Sequence, residues 1–187
     1  MITINSIVPD FEAQAYQEGS FKKIKLSKYK GRWVVLVFYP ADFTYVCPTE
    51  LEDAADLYEE FKEEGAEIMS VSTDTEYSHK AWHDSSKAVG KVKYPMLADP
   101  TGNLTRMFSV YIEEEGLARR GTFIIDPDGV LKTIEIHDND IGRAMLETLR
   151  KLRAAKFVRK HPGNVCPANW KEGQKTLKKG INLVGKI

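Results

Sequence analysis

The seven residues Trp33-Val34-Val35-Leu36-Val37-Phe38-Tyr39 form an unbroken apolar run rich in β-branched and aromatic side chains. A run of that kind and length is a strand buried on both faces. Beyond it the periodicity changes. Leu51, Ala54, Ala55, Tyr58 and Phe61 recur at three- and four-residue spacing, which predicts a helix over 48–64 stopping at Gly65. Residues 66–72 (Ala-Glu-Ile-Met-Ser-Val-Ser) read as a second strand. Strand, helix and strand in this order make a βαβ unit, so the chain must build on a sheet with parallel strands.

Cys47 lies at the junction of the first strand and the helix. Pro48 suits the first helical position, where a missing N–H costs nothing. The sulfur therefore sits at a helix N-terminus, where unpaired N–H groups and the macrodipole favour an anion. The thiolate is the nucleophilic form of cysteine, so this placement favours a reactive thiol over the more common buried core cysteine.

The remaining segments complete an α/β pattern. Phe11, Ala13 and Ala15, then Phe21, Ile24 and Leu26, alternate about Gly19-Ser20 and predict a hairpin laid against the main domain. Residues 76–90 read as helical, and residues 94–98 as a short strand ended by the turn Asp99-Pro100-Thr101-Gly102. Residues 121–125 and 130–136 flank Asp126-Pro127-Asp128-Gly129, a strong hairpin signal. A last helix is expected over 141–160, with Ile141, Met145, Leu149, Leu152 and Ala155 on one face. The antiparallel hairpin breaks the all-parallel order of a dinucleotide-binding domain. The expected fold is α/β and thioredoxin-like, with an N-terminal hairpin extension and a C-terminal arm. The domain would occupy residues 1–160 and the arm, which carries Cys166, residues 161–187.

Composition removes several function classes. The 187 residues hold 27 basic and 27 acidic side chains, which gives no global field for nucleic acid or anionic lipid. Residues 1–6 lack the basic and apolar regions of a signal peptide, and no apolar run approaches a membrane span. Two cysteines 119 positions apart, with no CxxC, do not make a disulfide framework. The expectation is a cytoplasmic protein whose cysteines are working thiols.

Around Cys47, Thr44 is three residues upstream, placed to donate to the thiolate and to receive from a bound oxygen species. Pro40 opens the loop, fixes φ and offers no donor. The pattern Pro40-x-x-x-Thr44-x-x-Cys47 resembles the active-site signature of the peroxiredoxins. Val165-Cys166-Pro167 is similar to the resolving-cysteine segment of typical 2-Cys peroxiredoxins, and the run from Arg120 to Asp126 resembles the family's arginine-bearing strand. Val71-Ser72-Thr73-Asp74, His79-Lys80-Ala81-Trp82 and Asp99-Pro100-Thr101-Gly102 also match, so the resemblance covers almost the whole chain.

The resemblance implies a thiol peroxidase acting on hydrogen peroxide and organic hydroperoxides without cofactor or metal. Cys47 would be the peroxidatic cysteine, oxidised to a sulfenic acid. Thr44 and Arg120 would hold thiolate and peroxide together, and Pro40 would shape the pocket. Cys166 would be the resolving thiol, closing an intersubunit disulfide that makes the unit at least a homodimer, often assembled into a decamer. A flavoprotein disulfide reductase or thioredoxin would return the electrons. The chain lacks the Gly-Gly-Leu-Gly insertion and the Tyr-Phe-bearing C-terminal helix of readily inactivated members.

Other signals weigh less. His79 and His83 have a metal-compatible spacing but no evident third ligand. Glu50 and Arg143 fit an outer layer around the thiolate as well as they fit surface or capping roles. Glu113-Glu114-Glu115 reads as a solvated acidic turn. A general thiol–disulfide oxidoreductase would need a partner cysteine three residues after Cys47, where Glu50 stands. A non-enzymatic holdase on the same fold would not need Thr44 and Arg120.

Overall fold

The computed structural model describes residues 2–186. In chain order the first compact unit, residues 1–145, contains β1 (Glu12–Gln17), β2 (Ser20–Lys25), β3 (Trp33–Phe38), α1 (Cys47–Asp56), α2 (Tyr58–Glu63), β4 (Ala66–Ser72), α3 (Glu76–Ser85), β5 (Met96–Ala98), α4 (Asn103–Met107), β6 (Tyr111–Ile112), β7 (Leu117–Ala118), β8 (Arg120–Ile125) and β9 (Leu131–His137). Seven strands form one sheet in the order β2-β1-β5-β4-β3-β8-β9. β3, β4 and β5 are parallel to one another, while β8 runs antiparallel to β3 and β9 antiparallel to β8. This is the mixed α/β, thioredoxin-like arrangement that the βαβ unit and the later hairpin require.

β3 lies at the heart of the sheet because every residue from Trp33 to Phe38 is buried. With β4 on one side and β8 on the other, its backbone is paired along both edges. Val34, Leu36 and Phe38 join Met69, Val71, Leu97, Phe123 and Ile125 in the core. Phe38, Phe108 and Phe123 interlock there, with ring centroids 4.7–5.5 Å apart. The N-terminal hairpin turns at Glu18 (φ 46°) and Gly19 (φ 78°), the left-handed pair of a two-residue hairpin loop. It extends the main sheet through β1–β5 pairing.

The structure refines several sequence-based boundaries. The helix expected over 48–64 begins at Cys47 and is interrupted at Leu57 (φ −97°, ψ 1°), giving α1 and α2. The helix expected over 76–90 ends at Ser85, whose hydroxyl donates back to Ala81 O at 2.8 Å and competes with helix propagation. The strand expected over 94–98 contracts to Met96–Ala98.

The last helix starts at Met145, not at residue 141. Asp138 closes a local turn instead, accepting from Asp140 N and Ile141 N at 3.0 Å each. Asp53 Oδ2 then accepts from Met145 N at 2.7 Å. Ile141 is therefore off the helix and 58% exposed.

Residues 146–187 form the second compact unit. It holds nearly all of α5 (Met145–Lys160) and the short ladder of β10 (Asn164–Val165) with β11 (Leu177–Lys178). Leu149, Leu152 and Ala155 make the buried stripe of α5. Trp170 is buried, its ring 5.1 Å from Phe157, and its Nε1 donates to Gln174 O at 3.1 Å. These contacts give the arm its own anchor on α5. No described helix is long and apolar enough to cross a membrane.

Candidate active site

Cys47 begins α1, and its side chain is fully buried. The strand-to-helix junction fixes this placement: β3 delivers the chain to Pro40, the loop 40–46 turns it, and α1 starts at Cys47. The first turn of α1 carries Pro48 and Glu50, so the local sequence supplies a helix start with an acidic residue at the positive end of the dipole.

Arg120 opens β8, which is paired with β3, and this pairing carries its guanidinium to the same place. Arg120 Nη1 donates to Cys47 Sγ at 3.4 Å and to Glu50 Oε2 at 2.7 Å, while Nε donates to Asn139 O at 2.8 Å. The next residue must be small: a Cβ on Gly121 would come within 2.8 Å of the Phe123 ring and 2.9 Å of Val110. Arg143 completes the cluster. Its Nε and backbone N each donate to Glu50 Oε1 at 2.8 Å, and its Nη2 donates to Oε2 at 2.9 Å. Its Nη1 reaches Gly121 O and Thr122 Oγ1.

Glu50 thus sits buried between two guanidiniums with both oxygens satisfied. Burial pushes its carboxyl pKa up, but the Arg143 and Arg120 contacts outweigh burial and hold it below the ordinary value. Burial likewise disfavours charge on Arg120, and the Cys47 sulfur and Glu50 carboxylate more than offset it, so the cation is held. The sequence left Glu50 and Arg143 open between site and surface. They belong to the site, and the only signal was that Glu50 falls one helical turn after Cys47.

Thr44 and Pro40 take up the loop, with Pro40 buried. The Thr44 hydroxyl donates to Ala41 O at 2.8 Å. Its proton is engaged there, so the side chain offers lone pairs to an incoming group, where sequence reasoning expected a second donor to sulfur. Asp42 was not foreseen at all. It is buried, accepts from Tyr39 Oη at 2.7 Å and pairs with His79 Nδ1 at 2.8 Å. Its backbone N donates to Asp74 Oδ2 at 2.8 Å. His79 Nε2 faces Leu97 O at 3.1 Å, so both ring nitrogens meet acceptor oxygens. The loop before Cys47 is thereby pinned to Asp74, just beyond β4, and through His79 to α3 and β5.

His83 has its own partners, Tyr16 Oη and Val92 O. Among the described residues, no group of three or more His, Cys, Asp or Glu could hold a metal ion.

Cys166 follows β10 in the second unit and is a free, partly exposed thiol, as Cys47 is a free, buried one. Its Sγ lies 3.9 Å from Ala154 O. Burial raises its pKa, and the nearby Arg150 charge offsets part of that rise. The site contains a buried sulfur at a helix start, a fixed cation beside it and an acceptor hydroxyl on the same loop. Such a site can activate a thiolate and orient a small polar electrophile.

The chain is similar to known proteins along most of its length. The AhpC/TSA family model matches residues 4–134, and the model of the C-terminal domain of 1-Cys peroxiredoxin matches residues 154–180. Alkyl hydroperoxide reductase C of Pseudomonas aeruginosa is 54% identical over 187 residues, covering all of both chains. The protein of that name from Escherichia coli K12 is 52% identical over the same span. The crystal structure of Enterococcus faecalis AhpC is similar with a TM-score of 0.86 and 47% identity, covering 89% of this chain and 100% of that one. Reduced Plasmodium vivax 2-Cys peroxiredoxin gives a TM-score of 0.89 at 31% identity, covering 92% and 91%.

Proposed function

The chain belongs to the AhpC/TSA family and is a thiol-dependent peroxidase, and from that premise we propose how its residues divide the reaction. Cys47 is the peroxidatic residue. Its thiolate attacks one peroxide oxygen in line with the O–O bond, the S–O bond forming as the O–O bond breaks. The departing oxygen takes a proton and leaves as water or an alcohol, and Cys47 becomes a sulfenic acid. The single observation that carries this reading is the Arg120 Nη1 donor, 3.4 Å from a buried sulfur at a helix start.

Arg120 stabilises the thiolate and the charge that develops on the leaving oxygen. Thr44 accepts from the peroxide hydrogen and orients it, while Pro40 closes the pocket against water. Glu50 and Arg143 act through Arg120, holding its fork in place.

Residues 1–160 act as the peroxidase domain and residues 161–187 as the arm. Cys166 is the resolving residue: it attacks the Cys47 sulfenic sulfur of a second copy, expels water and forms an intersubunit disulfide. The functional unit is then a homodimer, with a decamer as its higher assembly, in the cytoplasm. The relatives' name, alkyl hydroperoxide reductase C, supports peroxide substrates and a reductase partner. A flavoprotein disulfide reductase of the alkyl hydroperoxide reductase F type, or thioredoxin, fits that partner role.

Non-reducing electrophoresis after one equivalent of peroxide tests the scheme. A dimer band should form and collapse with reductant, and Cys166→Ser should abolish it. Loss of both thiols with no dimer band would replace the intersubunit bridge by an intramolecular one.

A further inference from the structure

The equal totals of acidic and basic side chains conceal a strong segregation. Residues 146–187 carry eleven Lys and Arg against two Glu, a net charge of +9, and residues 1–145 carry sixteen basic against twenty-five acidic, a net charge of −9. The division falls at the boundary between the two compact units. The basic unit is the one that holds Cys166.

Part of that charge is fixed close to the thiol. β10 and β11 pair with Asn164 opposite Lys178, and Lys179 N donates to Gly163 O at 2.9 Å. Lys178 and Lys179 are therefore held within a few residues of Cys166 on one ladder, and both are exposed. Arg150 of α5 lies close enough to influence the Cys166 thiol. Lys171 and Lys175, also exposed, lie on the chain between the sulfur and β11.

We propose that this basic unit is the docking surface for an acidic protein dithiol, the electron donor that reduces the disulfide carried by Cys166. The inference rests on Cys166 being the resolving residue. The step is a two-electron exchange. A donor thiolate bonds to one sulfur of the Cys47–Cys166 disulfide, and that bond breaks to release the other cysteine. The donor's second thiol then displaces the first from the mixed disulfide, so the donor leaves oxidised and both cysteines end reduced, the thiolates taking up protons.

The charge pattern suits a protein met once in every turnover. Residues 1–145, at −9, repel an acidic partner, and residues 146–187, at +9, attract it to the unit that holds Cys166. A cationic surface serving a membrane or nucleic acid would gain nothing from a redox thiol held beside Lys178 and Lys179.

The test uses short Cys-x-x-Cys peptides carrying aspartates, no charges or lysines, reacted with the full-length oxidised protein. Each rate is normalised to the same peptide's rate on 2-hydroxyethyl disulfide, which removes differences in intrinsic thiol reactivity. At low ionic strength the acidic peptide should react about tenfold faster than the basic one. That gap should close at about 0.5 M salt and shrink in Lys178→Glu/Lys179→Glu, but persist in the body control Lys22→Glu/Lys23→Glu. A flat charge series, or one favouring the basic peptide, overturns the proposal, whether or not the arm also binds anionic lipid vesicles. Oxidised protein that contains no Cys47–Cys166 disulfide at the outset would fail the underlying reading instead, and thiol titration before the peptides are added distinguishes the two.

Discussion

Glu50 Oε2 stands 2.7 Å from Arg120 Nη1, the same nitrogen that reaches Cys47 Sγ at 3.4 Å. One N–H-bearing atom thus joins the Cys47 sulfur to a buried carboxylate, and Arg143 locks that carboxylate from its other side. Glu50→Gln keeps the shape but turns an amide toward two arginines. Arg120 should lose its fixed position, and the peroxide rate constant should fall by about tenfold to a hundredfold at a pH where the thiol is ionised in both proteins. Stopped-flow measurement of the peroxide reaction checks this. An unchanged rate would mean that Asn139 O alone positions Arg120.

The same carboxylate predicts an acid limb in stability. Its folded-state pKa lies below the ordinary 4.5, because the arginine contacts outweigh burial. Its contribution is therefore present above the ordinary value and is lost as pH falls through the folded one. Breaking the buried cluster with Glu50→Gln should cost about 3 kcal/mol at neutral pH. Urea unfolding should show that gap narrowing as both proteins are taken well below pH 4.5. A gap of the same size at every pH would contradict an ionised Glu50.

Thr44 is predicted to act through its oxygen, since its proton is given to Ala41 O. Thr44→Val removes the acceptor and the loop bond together and should cost about a hundredfold in the peroxide rate. Thr44→Ser restores both and should stay within a few-fold of wild type. A Thr44→Val protein that keeps the wild-type rate would contradict a role for the hydroxyl.

The Asp42–His79 pair is predicted to hold the loop that presents Thr44 and Cys47. Phe43, next along, adopts φ 56°, a conformation that a bulky residue keeps only when its surroundings impose it. His79→Asn should speed amide exchange across residues 41–46 and lower the peroxide rate by about tenfold, with the β3–β4–β8 amides unchanged. Uniformly faster exchange throughout the sheet would show a global stability effect instead.

The elements legible in the sequence were those whose own residues carry the signal. β3 announces itself through six consecutive buried side chains, and the β8–β9 turn through Asp126 and Gly129, which close it with local hydrogen bonds. The placement of Cys47 at a helix start and of Arg120 at the opening of β8 was legible because motif and topology agree. What escaped depends on pairing over distance. Asp42 gains meaning only when His79, 37 positions on, folds beside it, and Glu50 only when Arg143, 93 positions on, returns to it. The onset of α5 was misplaced because Asp138 captures two backbone N–H groups and stops Ile141 from joining the helix. The charge division at residue 146 was hidden by totals that cancel.

The most direct test of Cys47 as the peroxidatic residue is to locate the sulfenic acid. Cys166→Ser protein is treated with one equivalent of hydrogen peroxide in the presence of dimedone and mapped by mass spectrometry, with steady-state turnover of Cys47→Ser measured in parallel. The expected result is a dimedone adduct on Cys47 near one per chain and no turnover above the uncatalysed rate in Cys47→Ser. An unmodified Cys47, or a Cys47→Ser protein that still turns over peroxide at the wild-type rate, would contradict the assignment.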